Sequence, residues 1–243
     1  MRAFTYANRC AKEMLRDPLN LIFGLGFPVV LLGLLSAIQA NIPVDMFQLH
    51  HLTPGITVFG LSFMTLFSAT LIARDSETAL LQRLYTTPLK ASDYILGYAL
   101  PILPFAVAQG AICYLFALVI GMTPSVNILY ALVMIIPIAV YYIGLGLLCG
   151  SIFNVKQVGG ICGALLTNLS AWLSGIWFDL ELVGGVFQQI ANLLPFYHAV
   201  ELERAVIRGD FTDVLPHFWI VLGYAIVTMA ISIVVFLRRM EKQ

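Results

Sequence analysis

Charged residues leave five long gaps along the chain. No Asp, Glu, Lys or Arg lies between Asp17 and Asp45, Asp45 and Arg74, Asp93 and Lys156, Lys156 and Asp179, or Asp213 and Arg238. A helix that crosses a bilayer needs about 20 mostly apolar residues, and a charge at its centre costs about 2.5–3.5 kcal/mol. Each gap therefore predicts membrane-spanning helix. The gap after Asp93 is too long for one crossing and splits at the turn cluster Gly121-Met122-Thr123-Pro124-Ser125. Six spans result, over 19–38, 53–73, 94–120, 127–150, 157–178 and 215–237. Barrel strands are excluded, because apolar and polar residues would have to alternate over about 10 positions.

The segments between the gaps have patterns of their own. Over residues 3–16, Phe4, Ala7, Ala11, Met14 and Leu15 recur at helical spacing, with Arg9, Lys12, Glu13 and Arg16 mostly elsewhere. That predicts an amphipathic helix lying in the interface, its basic side chains toward lipid phosphates. Asp17 suits an N-cap and Pro18 a first helical position, so the chain turns there from lying on the membrane to entering it. Between spans two and three, Asp75 or Ser76 can cap a short helix that Pro88 ends at Thr87. Its stripe of Leu80, Leu81, Leu84 and Tyr85 must be buried, either on lipid and the N-terminal helix or in a socket on another protein. After span five, Val183–Leu194 is nearly uncharged and too short to span, which reads as a re-entrant or interfacial piece opening at Gly184-Gly185 and closed by Pro195. A helix over about 197–208 follows. Glu201, Glu203, Arg204 and Arg208 give it a charged face, expected to be a solvated cap with weak exposed pairs.

Composition narrows the class further. Of the 243 residues, 60% are hydrophobic and 11% charged, against about 25% charged in a soluble domain. A disordered chain, a nucleic-acid binder and a soluble enzyme are excluded on that ground. Net charge is zero, so the distribution of charge carries the information. Six spans place eleven of the thirteen basic residues on one side and leave Arg204 and Arg208 on the other. The positive-inside rule then makes both termini cytoplasmic. A cleavable signal is not expected, because the first apolar run is too long and follows Glu13 and Asp17.

Small and weakly polar residues form two columns. Ser62, Thr65 and Ser68 recur every third position in span two, and Gly160, Ala164, Asn168, Ala171 and Gly175 fall on one face of span five. Such columns allow close helix packing or line a wet pathway. The chemistry of the chain is otherwise spare. There is no phosphate-binding P-loop motif and no His-Glu-x-x-His. Ser174 with His198 downstream is the nearest approach to a membrane hydrolase, and Trp172 stands where that motif wants glycine. His50-His51 reads as an outer-loop pair, and Cys10, Cys113, Cys149 and Cys162 as small packing residues. No span holds an ionisable residue between its ends, which argues against self-powered transport.

These residues resemble the ABC-2 type permeases, the membrane subunits of bacterial ABC exporters, over essentially the whole chain. One stretch runs from Glu77 to Gly97 with Leu81, Arg83-Leu84 and Thr87-Pro88-Leu89. The other runs from Gly144-Leu145-Gly146 and Gly150-Ser151 to Ser174-Gly175, Pro195-Phe196-Tyr197-His198 and Arg204. Two departures are Tyr98, where a basic residue is common, and Asp179-Leu180, where a proline is usual.

The resemblance implies a single all-α transmembrane domain over 1–243, with an interfacial helix (1–17), a coupling loop (74–93) and an outer re-entrant region (179–214). It implies a bacterial inner-membrane exporter subunit for a drug, antibiotic, peptide or lipid-like cargo, not itself an enzyme. It pairs with a second permease and two separate cytoplasmic ATPases, which bind the ATP and Mg; this chain holds no cofactor or metal. Coupling to the ATPase falls to Glu77, Leu80, Leu81, Arg83, Leu84, Tyr85, Thr87 and Pro88. A pathway falls to Ser62, Thr65, Ser68, Asn168, Ala171 and Gly175. An outer gate falls to Gly184, Gly185, Pro195, Phe196, His198 and Arg204. The alternative is a gradient-driven carrier or channel without an ATPase.

Overall fold

The computed structural model describes residues 2–41, 48–77 and 91–240. Every regular element among them is a helix. After α1 (Arg2–Arg16), the apolar gaps form α2 (Ile22–Gln39), α3 (Leu49–Glu77), α4 (Ala91–Val119) and α5 (Asn127–Ile152). The chain continues through α6 (155–172), α7 (Leu180–Val183), α8 (Gly185–Leu193) and α9 (Pro195–Arg208) to α10 (Phe211–Met240). Five of these, α2, α3, α4, α5 and α10, are long and apolar enough to cross a membrane, which makes this a multi-pass membrane protein. The expected fifth span, α6, is not among the five. It opens on Lys156 and Gln157 and carries Asn168 and Ser170, and the chain leaves the helix after Trp172. The middle of α6, Gly159–Leu166, is π-helix. Prolines 101, 104 and 137 sit inside continuous helices.

The end of the bundle that carries α1 is called basal here, and the opposite end apical. α3 is the central element, buried over most of its length, while α2 and α10 turn most of their residues outward. Close approach of α3 and α5 explains Gly146 and Gly150. A Cβ on Gly146 would run into Ser68 Oγ and the Thr65 carbonyl, and one on Gly150 would lie 2.5 Å from the Ala69 carbonyl oxygen. Thr65 adds a hydrogen bond across the seam to the Tyr142 carbonyl, 3.0 Å. Gly146→Leu is therefore expected to wedge α3 from α5. Overpacking of this kind costs about 1–3 kcal/mol, and the check is a lowered midpoint for thermal unfolding in detergent, with Gly223→Leu, which has open space around it, as the neutral control.

Two expectations about the ends are corrected. The buried face of α1 is Tyr6, Ala7, Cys10 and Met14, packed on the basal end of α4, while Phe4 and Leu15 point outward. Tyr6, Cys10 and Met14 share that face at helical spacing, and Tyr6 meets Tyr94 and Tyr98 edge-on. α9 is not a solvated cap. It starts at Pro195, two residues earlier than expected, and lies in the core with Glu203 and Arg204 buried.

Candidate functional site

At the basal end the chemistry converges on Asp75. This carboxylate is only 3% exposed. It is inside α3 and is not the cap of a separate helix; Ser76 likewise bonds back to the Ile72 carbonyl. Arg9 donates to both its oxygens, at 2.9 and 2.7 Å. Tyr6 and Tyr98 each donate a phenolic hydroxyl to Oδ2, at 2.7 and 2.8 Å. One carboxylate thus ties α1, α3 and α4 together. Such a charge-assisted bidentate pair is among the stronger protein hydrogen bonds. Donating to Asp75 pushes the Arg9 guanidinium further up, and burial pushes the Tyr6 phenol up, so both remain donors. Tyr98, the departure from the family pattern, supplies one of these bonds.

The neighbours extend the clamp. Arg74 donates to Asp17 at 3.2 Å. Glu77 accepts the backbone N–H of Val155 at 3.0 Å, which joins the last residue of α3 to the start of α6. Arg239 closes the opposite side on the Ser151 carbonyl at 2.6 Å. An open cleft of about 810 Å³, lined by Asn8, Arg9, Lys12, Glu13, Arg16 and Arg74 among others, runs beside α1. Of the expected coupling residues, Glu77 is placed here, in contact with α6. Leu80, Leu81, Arg83, Leu84, Tyr85, Thr87 and Pro88 lie outside the described residues.

The apical end has a second centre, Arg204. Its guanidinium is buried and forks in three directions: Nε to the His51 carbonyl at 3.3 Å, Nη1 to Glu201 at 2.9 Å, and Nη2 to the Gly175 carbonyl at 3.1 Å. Burial lowers its pKa and Glu201 opposes that shift. Gly175 takes a positive φ of 71° at the turn that ends α6. These groups border a cavity of about 620 Å³, whose walls include Trp177, Phe178, Asp179, Glu181 and Tyr197. Beside Arg204, Glu203 is fully buried and accepts one bond, from Tyr114 at 2.7 Å; its other oxygen has no partner among the described residues. Burial pushes this carboxyl up to about 8.

The other expected gate residues lie nearby. Gly184 and Gly185 both have positive φ, 61° and 59°, and link α7 to α8. Phe196 packs on Tyr141 and Tyr142. His198 bonds to His217 and to the Asn192 carbonyl, while Ser174 Oγ is engaged with the Ala171 carbonyl, so the two do not form a nucleophile–base pair. His50 and His51 belong to α3; His50 reaches Thr123 and His51 faces the apical cavity.

The expected pathway residues are not brought together. Ser62, Thr65 and Ser68 are buried, and each hydroxyl bonds to a backbone carbonyl. Asn168 is exposed on the outward side of α6, bonded to the Ala164 carbonyl, whereas Ala171 is buried and Gly175 lines the apical cavity. The π-helical segment and the turn after Trp172 break the single face that regular spacing would give.

The comparisons with known proteins agree with this architecture. The ABC-2 type transporter family model matches residues 2–208. Nodulation protein J of Rhizobium leguminosarum bv. trifolii is 24% identical over 227 residues, covering 93% of this chain and 85% of the relative. Nodulation protein J of Bradyrhizobium diazoefficiens is 25% identical over 228 residues, with the same coverage of each chain, and that of Rhizobium meliloti is 23% identical over 227. With a match over most of its length and a helical bundle to go with it, the chain belongs to the ABC-2 type transporter family.

Proposed function

We propose that the chain is the membrane subunit of an ATP-driven exporter in a bacterial plasma membrane, with the basal end and both termini in the cytoplasm. α6 completes six crossings, and α7, α8 and α9 form the outer region. A separate ATPase pair supplies the energy, and its closure moves residues 78–90. The observation that carries this reading is the Asp75 clamp with Glu77. It fixes the end of α3 that leads into residues 78–90 to α1 and α4 on one side and to α6 on the other. ATP shifts the pump only through its differential affinity for two states, and that fixed end transmits the difference to α3 and α6 together.

A second permease completes the pathway. Asn168 supports the pairing, because an amide exposed at mid-helix is better satisfied by a facing helix than by lipid. The cargo is amphipathic, in keeping with the aromatic and carboxylate walls of the apical cavity. Leu81→Asp places a charge in the proposed ATPase contact. It is expected to cut co-purification of the ATPase by about tenfold or more, the loss that a buried unpaired charge brings, while the permease still inserts. Unchanged co-purification would remove the coupling assignment.

One observation favours the gradient-driven alternative: Glu203, a fully buried acid beside Tyr114. Flux through vesicles holding this chain alone would establish it. Flux that requires the ATPase and ATP supports export.

A further inference from the structure

His198 and His217 meet through their Nδ1 atoms, 2.8 Å apart. His198 Nε2 lies 2.7 Å from the Asn192 carbonyl, an acceptor, so that nitrogen carries a proton. Neutral His198 then has only a lone pair at Nδ1, and the contact requires His217 to donate from its own Nδ1. His217 Nε2 faces Asp213 at 3.7 Å, so a positive charge on His217 strengthens the arrangement. A proton on His198 has the opposite effect, because two N–H groups would then point at each other.

We propose that this pair is an acid-sensitive latch on the apical face. It fastens α8, through Asn192, and the first turn of α9, through His198, to the first turns of α10, and protonation of His198 opens it. The surroundings are consistent with one extra proton and not two. From α10 the pair faces Asp213, itself bonded by Arg208 of α9 at 3.1 Å, and Tyr224 bonds the Leu193 carbonyl. From α9 come Glu201 and the Tyr197 ring, which meets both imidazoles. α3 contributes His51 across Arg204, α5 contributes Tyr141 and Tyr142 behind Phe196, Asp179 and Glu181 lie ahead of α8, and α8 carries no titratable side chain. Histidine side chains change charge in the mildly acidic range, and the pair opens only when it takes its second proton, so the latch is closed at neutral pH and opens on acidification.

The test is a distance measurement on the full chain in lipid nanodiscs, with spin labels at Val186→Cys on α8 and Trp219→Cys on α10. Both positions are exposed, and the native cysteines are buried. Wild-type background is expected to give one narrow distribution at pH 7.5 and a second population, longer by about 2 Å or more, at pH 5.0. His217→Gln should stay closed at both pH values, because the amide turns its oxygen to a protonated His198 and its NH₂ to a neutral one. His198→Phe should be open at both. A wild-type distribution that does not change with pH overturns the latch. So does a His217→Gln protein that opens on acidification as wild type does, and that comparison stands even if His198→Phe does not fold.

Discussion

Asp75→Asn is expected to leave the ATPase bound and to abolish its productive coupling. The substitution keeps the shape of the side chain and removes its charge. Arg9 then loses its bidentate partner, and the new NH₂ group faces the hydroxyls of Tyr6 and Tyr98, which donate to Oδ2 in the native protein. Hydrogen bonds to a charged group contribute about 1.5–3 kcal/mol each when removal strands a buried partner. Arg9 is partly exposed, 38% at its side chain, so its share is discounted for solvent screening, and a total loss of about 2–3 kcal/mol is expected. Transport should fall by about tenfold or more, since about 1.4 kcal/mol of lost coupling between two states is already a factor of ten. The measurements are thermal unfolding, ATPase co-purification and cargo export in the same cells. The pattern of retained binding with lost export separates Asp75 from Leu81, whose substitution is expected to release the ATPase. The quadruple variant Tyr6→Phe/Arg9→Met/Asp75→Leu/Tyr98→Phe should recover stability, because replacing the whole polar cluster by apolar residues strands no donor, and should not recover export. An Asp75→Asn protein with wild-type stability and export would mean that α1 and α4 do not depend on this carboxylate.

The spans were legible because the cost of a charge in hydrocarbon is local, so counting between charged residues suffices. The one that failed the same test in the structure, α6, is the gap whose ends and middle hold Lys156, Gln157 and Asn168. Its small-residue column depended on regular helical spacing, which the π-segment at Gly159–Leu166 does not keep. In sequence Asp75 looks like a cap, because its partners Tyr6 and Tyr98 are 69 and 23 residues away and no local pattern joins them. A signal was present nonetheless: Tyr6 and Arg9 share a helix face at i, i+3, and Tyr94 and Tyr98 do so at i, i+4. The polar face of α9 misled for a related reason. Glu201 and Arg204 at i, i+3 look the same on a solvated helix as on one whose neighbours supply the remaining partners. What decides between them is the carbonyls of His51 and Gly175, which come from α3 and from the turn after α6.

That difference makes Arg204 the most sensitive apical position. Arg204→Met would leave Glu201 with Arg208 as its remaining cation, 3.7 Å away and largely exposed, and would strip donors from the His51 and Gly175 carbonyls. Removing one member of a buried pair costs about 3–5 kcal/mol. Arg204→Lys should rescue little of this, because an ammonium on a flexible stem cannot fork to three acceptors held by three elements. Glu203→Gln, one residue away, is expected to be neutral to stabilising at pH 7. Burial pushes that carboxyl up to about 8, so at pH 7 it is mostly uncharged, and the amide has its shape. Because its folded pKa lies above the usual carboxylate value, its contribution is most favourable at low pH and declines as pH rises toward 8. The glutamine variant should therefore lose less stability than wild type as pH rises from about 4.5 toward 8. Unfolding midpoints across that range, with cargo export alongside, test both residues. Equal damage from Glu203→Gln and Arg204→Met would mean that Glu203 works as a charge. Equal tolerance of both would mean that the turn at Gly175 and the start of α3 are held by something other than the guanidinium.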